Sequence, residues 1–176
     1  MLEEARKGAP KARLAAFAAA GTGVAVRPAL VTPVRAIPAT LPEFRRMFSA
    51  GACKGRLLLV EDLDDIRELL GCLLKHKGYF VRAAGNGAEC LRLAKTMRPD
   101  IILLNYLMPV MDGLTALRQL KMDPVISYLK VIMYSAVGGD SPFWTAAMEA
   151  GAVDCLHTPF DAETLLIAIE RGLRSH

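Results

Sequence analysis

Nowhere in this chain of 176 residues do eighteen strongly apolar residues follow one another, because Arg, Asp, Pro or Gly cuts every candidate run. A helix that crosses a bilayer needs about twenty, so no membrane span is expected. Cysteine is sparse as well. Cys53, Cys72, Cys90 and Cys155 stand far apart, with no C-x-x-C pair. That pattern argues against a zinc or redox site. It fits free thiols in a reducing, cytoplasmic compartment, with Cys72, Cys90 and Cys155 each inside an apolar segment. Aromatic residues make up only 6% of the chain, with a single tryptophan, and no helix-turn-helix or aromatic-basic motif speaks for nucleic acid.

What is present is enough apolar material, 53% of residues, to fill one core. The net charge of +4 hides a division: residues 1 to 56 carry ten Lys/Arg against three Asp/Glu, and residues 57 to 176 carry twelve against fifteen. The segment 1–52 is rich in Ala, Pro, Gly and Arg, and Pro10, Pro28, Pro33, Pro38 and Pro42 interrupt helix and central strand alike. A disordered basic leader is expected there. Its field could draw nucleic acid or anionic lipid, although a solvated leader needs no partner. Lys7, Lys11 and Arg13 before Leu14 to Ala20 give only a faint likeness to a signal peptide, and Met47 offers a second start.

From Arg56 short apolar runs alternate with stretches of helical period. Leu57 to Val60 reads as a strand, and Ile66, Leu69, Leu70, Leu73 and Leu74 fall on one face of a helix that Lys77-Gly78 ends. Tyr79 to Ala83 reads as a second strand, and Asn86 as the N-cap of a helix carrying Cys90, Leu91 and Ala94. Ile101 to Leu104, four large apolar residues in a row, has the pattern of a strand buried on both faces. A helix over 112–121, a strand over 130–134, a helix over 141–150, a strand over 153–156 and a helix over 161–174 complete the series. Five strands alternating with five helices predict an α/β fold over 56–174. The economical form is a doubly wound, five-stranded parallel sheet in a three-layer sandwich, with its chemistry at the carboxyl ends of the strands.

That topology would gather Glu61 and Asp62, Asn105, and Ser135 at one end of the sheet. Adjacent carboxylates repel one another and are best tolerated beside solvent or a hard cation such as Mg²⁺. Equally, Glu61, Asp62, Asp64 and Asp65 suit the positive end of the helix that follows. The same acidic run would repel a cofactor phosphate, which counts against a flavodoxin-like enzyme.

Residues 57–62 (LLLVED), 101–113 (IILLNYLMPVMDG), 131–136 (VIMYSA) and 150–160 (AGAVDCLHTPF) resemble, in order and interval, the signatures of receiver domains of two-component response regulators, the CheY-like superfamily. The resemblance covers about two thirds of the chain. It implies that Glu61 and Asp62 match the acidic pair that holds Mg²⁺, with the backbone carbonyl of Leu107 beside them. It further implies that Asn105 stands at the phosphoacceptor position, that Ser135 matches the Ser/Thr that bonds the phosphoryl group, and that Thr158 stands where the family has lysine. Met108, Pro109, Asp112 and Gly113 match the loop beyond the acceptor, and the Thr158-Pro159 bond would be cis.

Two of these positions depart from the family pattern, and both departures concern chemistry. Phosphoryl transfer needs an anionic oxygen to attack phosphorus while cations neutralise the equatorial oxygens. Asn105 is neutral, and Thr158 removes a cation. With one carboxylate fewer, Mg²⁺ binding should weaken. The expectation is a stand-alone pseudo-receiver: a non-enzymatic module without a phosphoacceptor, acting in phosphorelay signalling by protein contact. Its partners would be a histidine kinase or a downstream target, or a second copy in a homodimer. Contact would run through the face of the fourth helix, fifth strand and fifth helix, where Trp144 is a candidate anchor. The family's switch aromatic is replaced by Cys155, so a domain held near one conformation is expected. Two alternatives remain at this point: a working receiver phosphorylated at a non-standard residue, and a nucleic-acid-associated protein using the basic leader.

Overall fold

The computed structural model describes residues 53–137 and 142–175, so the leader lies outside the described residues. Five strands alternate with five helices: β1 (Arg56–Val60), α1 (Asp64–His76), β2 (Phe80–Ala84), α2 (Gly87–Met97), β3 (Ile101–Asn105), α3 (Gly113–Met122), β4 (Val131–Ser135), α4 (Pro142–Glu149), β5 (Asp154–His157) and α5 (Ala162–Arg174). The sheet runs β2-β1-β3-β4-β5, and every neighbouring pair is parallel. This is the doubly wound arrangement expected from the alternation, and its switch point, where ligand crevices open, lies between β1 and β3.

Side chains alternate across a strand, and here both faces are dry. Leu58, Val60, Ile102, Leu104, Val131 and Met133 pack with Cys90, Leu93, Ala116, Leu117, Leu120 and Ala147 from α2, α3 and α4. On the other face Leu57, Leu59, Ile101, Leu103, Ile132 and Tyr134 meet Ile66, Leu70 and Leu74 of α1 and Leu165, Ala168 and Ile169 of α5. Each fully buried aliphatic side chain contributes roughly 1.5–3 kcal/mol, so β1, β3 and β4 are anchored from both sides and their carboxyl ends are fixed in space.

Helix starts are set by side-chain caps. Asn86 accepts from Glu89 N at 2.9 Å, Asp112 from Thr115 N at 2.9 Å and Asp161 from Thr164 N at 2.7 Å. At α1 the cap position is Leu63, which supplies no side-chain cap. Asp64 and Asp65 in the first turn instead complement the helix dipole, as the acidic run suggested. Cys90 is buried, and burial pushes its thiol up to about 12. Cys72, expected within an apolar segment, lies on the exposed side of α1 because Leu70 and Leu74 take the face that meets the sheet.

Candidate functional site

The register Val60↔Leu104 sets the ends of β1 and β3 side by side, so that Asn105, the last residue of β3, meets Glu61 and Asp62 just beyond β1. The Asn105 amide nitrogen donates to Glu61 Oε1 at 3.2 Å, to Asp62 Oδ1 at 3.0 Å and to the Leu107 carbonyl oxygen at 3.2 Å. An amide nitrogen carries two hydrogens, so one of them is shared between two of the three acceptors. Asn105 and Glu61 are buried, at 2% and 0% exposure, where an unpartnered polar group would be costly.

Among the described residues three donors reach the Glu61 carboxyl group. Besides Asn105, the Leu63 amide donates to Oε1 at 3.1 Å and the Tyr134 hydroxyl to Oε2 at 2.8 Å. Tyr134 could be read from the sequence only as an apolar strand residue, yet it is buried on β4 with its hydroxyl turned to this carboxyl group. Arg67 is a second residue that the sequence reading missed. Its guanidinium donates to the Glu61 carbonyl at 2.7 Å and the Asp62 carbonyl at 3.4 Å, and pairs with the Asp64 carboxylate. It thereby ties the acidic loop to the first turn of α1. The i,i+3 spacing of Asp64 and Arg67 was the available signal.

The loop after β3 is pressed close to the site. A Cβ on Gly113 would lie 2.1 Å from the Asn105 carbonyl oxygen, so only glycine lets α3 begin here. The Gly113 amide donates to the Tyr106 carbonyl at 2.8 Å. Ser135 is buried, and its hydroxyl accepts from Val137 N at 3.1 Å. The Thr158 amide donates to the Ser135 carbonyl at 2.8 Å, and the Thr158-Pro159 bond is cis. Among the described hydrogen bonds, Glu61, Asp62, Leu107 and Asn105 therefore form one group. Ser135 and Thr158 are joined to each other by backbone and not to Asn105.

Magnesium requires oxygens disposed about a central point. Three oxygens converge here, but the point between them is taken by the Asn105 nitrogen, itself a donor. Turned over, the same amide would present its oxygen, and Glu61, Asp62, Asn105 and the Leu107 carbonyl are the residues that would hold the cation, with one carboxylate fewer than an aspartate at position 105 would give.

A chain of rings leads away from Asn105. Tyr106 stacks on Phe143 with centroids 3.9 Å apart, Phe143 meets Trp144 edge-on at 4.9 Å, and Trp144 lies 6.2 Å from the ring of His157 on β5. Phe143 is thus core, Trp144 is half-buried and His157 is exposed. Cys155 is half-buried on β5 with Sγ 3.7 Å from Met148 Sδ, and burial, aided by Asp154, pushes its thiol up to about 11. A thiol so raised is a poor nucleophile at neutral pH.

The sequence model of the response regulator receiver domain matches residues 57–170. The chain belongs to the response regulator receiver family. The receiver is 36% identical over 119 residues to the chemotaxis protein CheY of Bacillus subtilis, a match covering 67% of this chain and 97% of that protein. It is 37% identical over 118 residues to the response regulator PleD of Caulobacter vibrioides, covering 67% of this chain and only 26% of that longer protein. Among solved structures, the chemotaxis response regulator CheY4 of Vibrio cholerae superposes with a TM-score of 0.61 at 30% identity, covering 66% of this chain and 97% of that one. This is a receiver domain of two-component signalling, and no helix among its described residues is long and apolar enough to cross a membrane.

Proposed function

We propose that this receiver takes no phosphoryl group and acts in the cytoplasm as a non-enzymatic protein-interaction module of a two-component pathway. The observation that carries the reading is Asn105 itself. At the position where a receiver's acceptor carboxylate belongs stands a neutral amide, whose nitrogen is turned into the acidic pair and away from any attacking role. In-line attack on phosphorus needs an electron-rich oxygen with cations about the transferred group. Thr158, where the family has lysine, supplies no charge. The partners are a histidine kinase, a downstream target or a second copy, met through the face of α4, β5 and α5, where half-buried Trp144 offers an aromatic anchor.

The test is incubation of the full chain with a small phosphodonor and Mg²⁺, read by intact mass. The expected result is no gain of a phosphoryl group. The paired change Asn105→Asp with Thr158→Lys should restore labelling, and labelling of the unaltered chain at any residue overturns the proposal.

A further inference from the structure

Away from the acidic pocket, α4 and β5 set soft ligands opposite one another. On β5, Cys155 and His157 are two residues apart and so share a face of the strand. On α4, Trp144 and Met148 are four residues apart and share a face of the helix. The two faces meet in step: the Trp144 ring lies 6.2 Å from the His157 ring, and the Cys155 thiol donates to the Met148 sulfur at 3.7 Å. We infer that Cys155, Met148 and His157 form a site for a soft monovalent metal ion of the copper(I) class, with the Trp144 indole beside it.

The ligand set decides the ion. Among the described residues no three His, Cys, Asp or Glu side chains group as metal ligands, and the third ligand here is a thioether. Zinc sites draw on Cys, His and carboxylates, and hard cations seek oxygen, whereas thiolate and thioether select a soft ion such as copper(I), which imidazole also suits. The spacing agrees. A sulfur ligand stands about 2.3 Å from a d¹⁰ ion, so two sulfurs on one ion at tetrahedral to trigonal angles are roughly 3.8–4.0 Å apart. That is close to the separation Cys155 and Met148 already have. Solvent reaches the group, since Met148 is 50% exposed, His157 is exposed and Cys155 is half-buried. On binding, the Cys155 thiol releases its proton to solvent and its sulfur gives an electron pair to the ion. The face of an indole attracts a cation placed near it. None of the three ligands belongs to the acidic pocket, so this inference goes beyond the proposed function and stands or falls apart from it.

Anaerobic titration of the full chain with copper(I), in competition with a chromogenic copper(I) chelator, tests it. Cys53 is half-buried and Cys72 exposed, and either thiol alone would take the ion, so every sample carries Cys53→Ser and Cys72→Ser. A single equivalent should bind. Trp144, the only tryptophan, should lose emission up to that point and no further. Met148→Leu and His157→Asn alter exposed side chains and leave the core intact. Each should weaken binding about tenfold or more, the least that disturbing the surroundings of a metal costs. Cys155→Ser should abolish it; should that variant fail to fold, Met148→Leu still decides the matter. Zn²⁺ at the same concentration should leave the emission unchanged. Failure to hold copper(I) against the chelator overturns the inference. So does an affinity unmoved by Met148→Leu, or binding without a change in Trp144 emission, either of which would mean an adventitious thiol contact only. Quenching by Zn²⁺ equal to that by copper(I) would overturn the assignment to a soft ion.

Discussion

Val110 and Gly113 stand three residues apart in the loop after β3 and answer to opposite demands. Gly113 is forced by a carbonyl that leaves no room for a Cβ. Val110 is the reverse case: a β-branched residue at φ +68°, in left-handed backbone that such side chains avoid, and 88% exposed. Nothing is gained from packing to offset that strain. Left-handed backbone costs a residue with a Cβ about 1–2 kcal/mol, and asparagine tolerates it better than most. Val110→Asn should therefore raise stability by roughly 0.5–1 kcal/mol, read as a higher urea midpoint with an unchanged slope. The M-P-x-M-D-G run was legible as a loop and helix start. The strain at Val110 was not, because no residue type in the sequence announces a positive φ where valine stands.

At the scale of elements, the strongly apolar runs were the most legible, since β1, β3 and β4 are buried along nearly their whole length. The second strand was read one residue early. Gly78, at φ +93°, ends α1, and the Tyr79 amide donates back to the Leu74 carbonyl, so the ladder opens at Phe80, whose amide bonds Gly55. The tyrosine is buried, which its apolar ring foretold, but it belongs to the helix cap. The fourth helix begins at Pro142, where proline's fixed φ suits the first helical position.

Pairings across long stretches of chain were beyond reach, as at the amino ends of β1 and β3. Asp100 accepts there from the Arg56 amide at 2.7 Å and from the guanidinium at 2.8 and 3.3 Å. Burial pushes the Asp100 carboxyl up, but hydrogen bonds and charge from Arg56 outweigh it and hold the group below its ordinary value. A carboxyl group so depressed adds stability above its unfolded pKa of about 3.9 and loses it as pH falls through the lower folded value. Both side chains are 40% exposed, so solvent screening limits the contribution to about 1 kcal/mol or less. Asp100→Asn should lower the urea midpoint at neutral pH, and the gap to the unaltered chain should close as the pH drops below about 4.

For the molecule as a whole, the question is whether events at the pocket reach the face of α4, β5 and α5. A switch needs two states separated by differential binding of a few kcal/mol. Cys155 stands on β5, and a path of rings, Tyr106 on Phe143 and Phe143 on Trp144, ties the residue after Asn105 directly to α4. Stacked and edge-on rings add about 0.5–1.5 kcal/mol per pair beyond their burial, which favours one arrangement of α4 over others. The sequence displayed Phe143 and Trp144 as two large aromatics at a helix start but could not show that Tyr106 lay beneath them, 37 residues earlier in the chain. Trp144 is the only tryptophan in the protein, so its fluorescence reports on this face without interference. On adding Mg²⁺ and a small phosphodonor, the emission maximum of the unaltered chain should not move. Phe143→Ala, which removes the ring between Tyr106 and Trp144, should shift the emission to longer wavelength as water reaches the indole, and should make it more readily quenched by iodide. An unaltered protein whose Trp144 emission responds to the phosphodonor would mean that the ring path transmits a change, and that α4 is not held in a single arrangement.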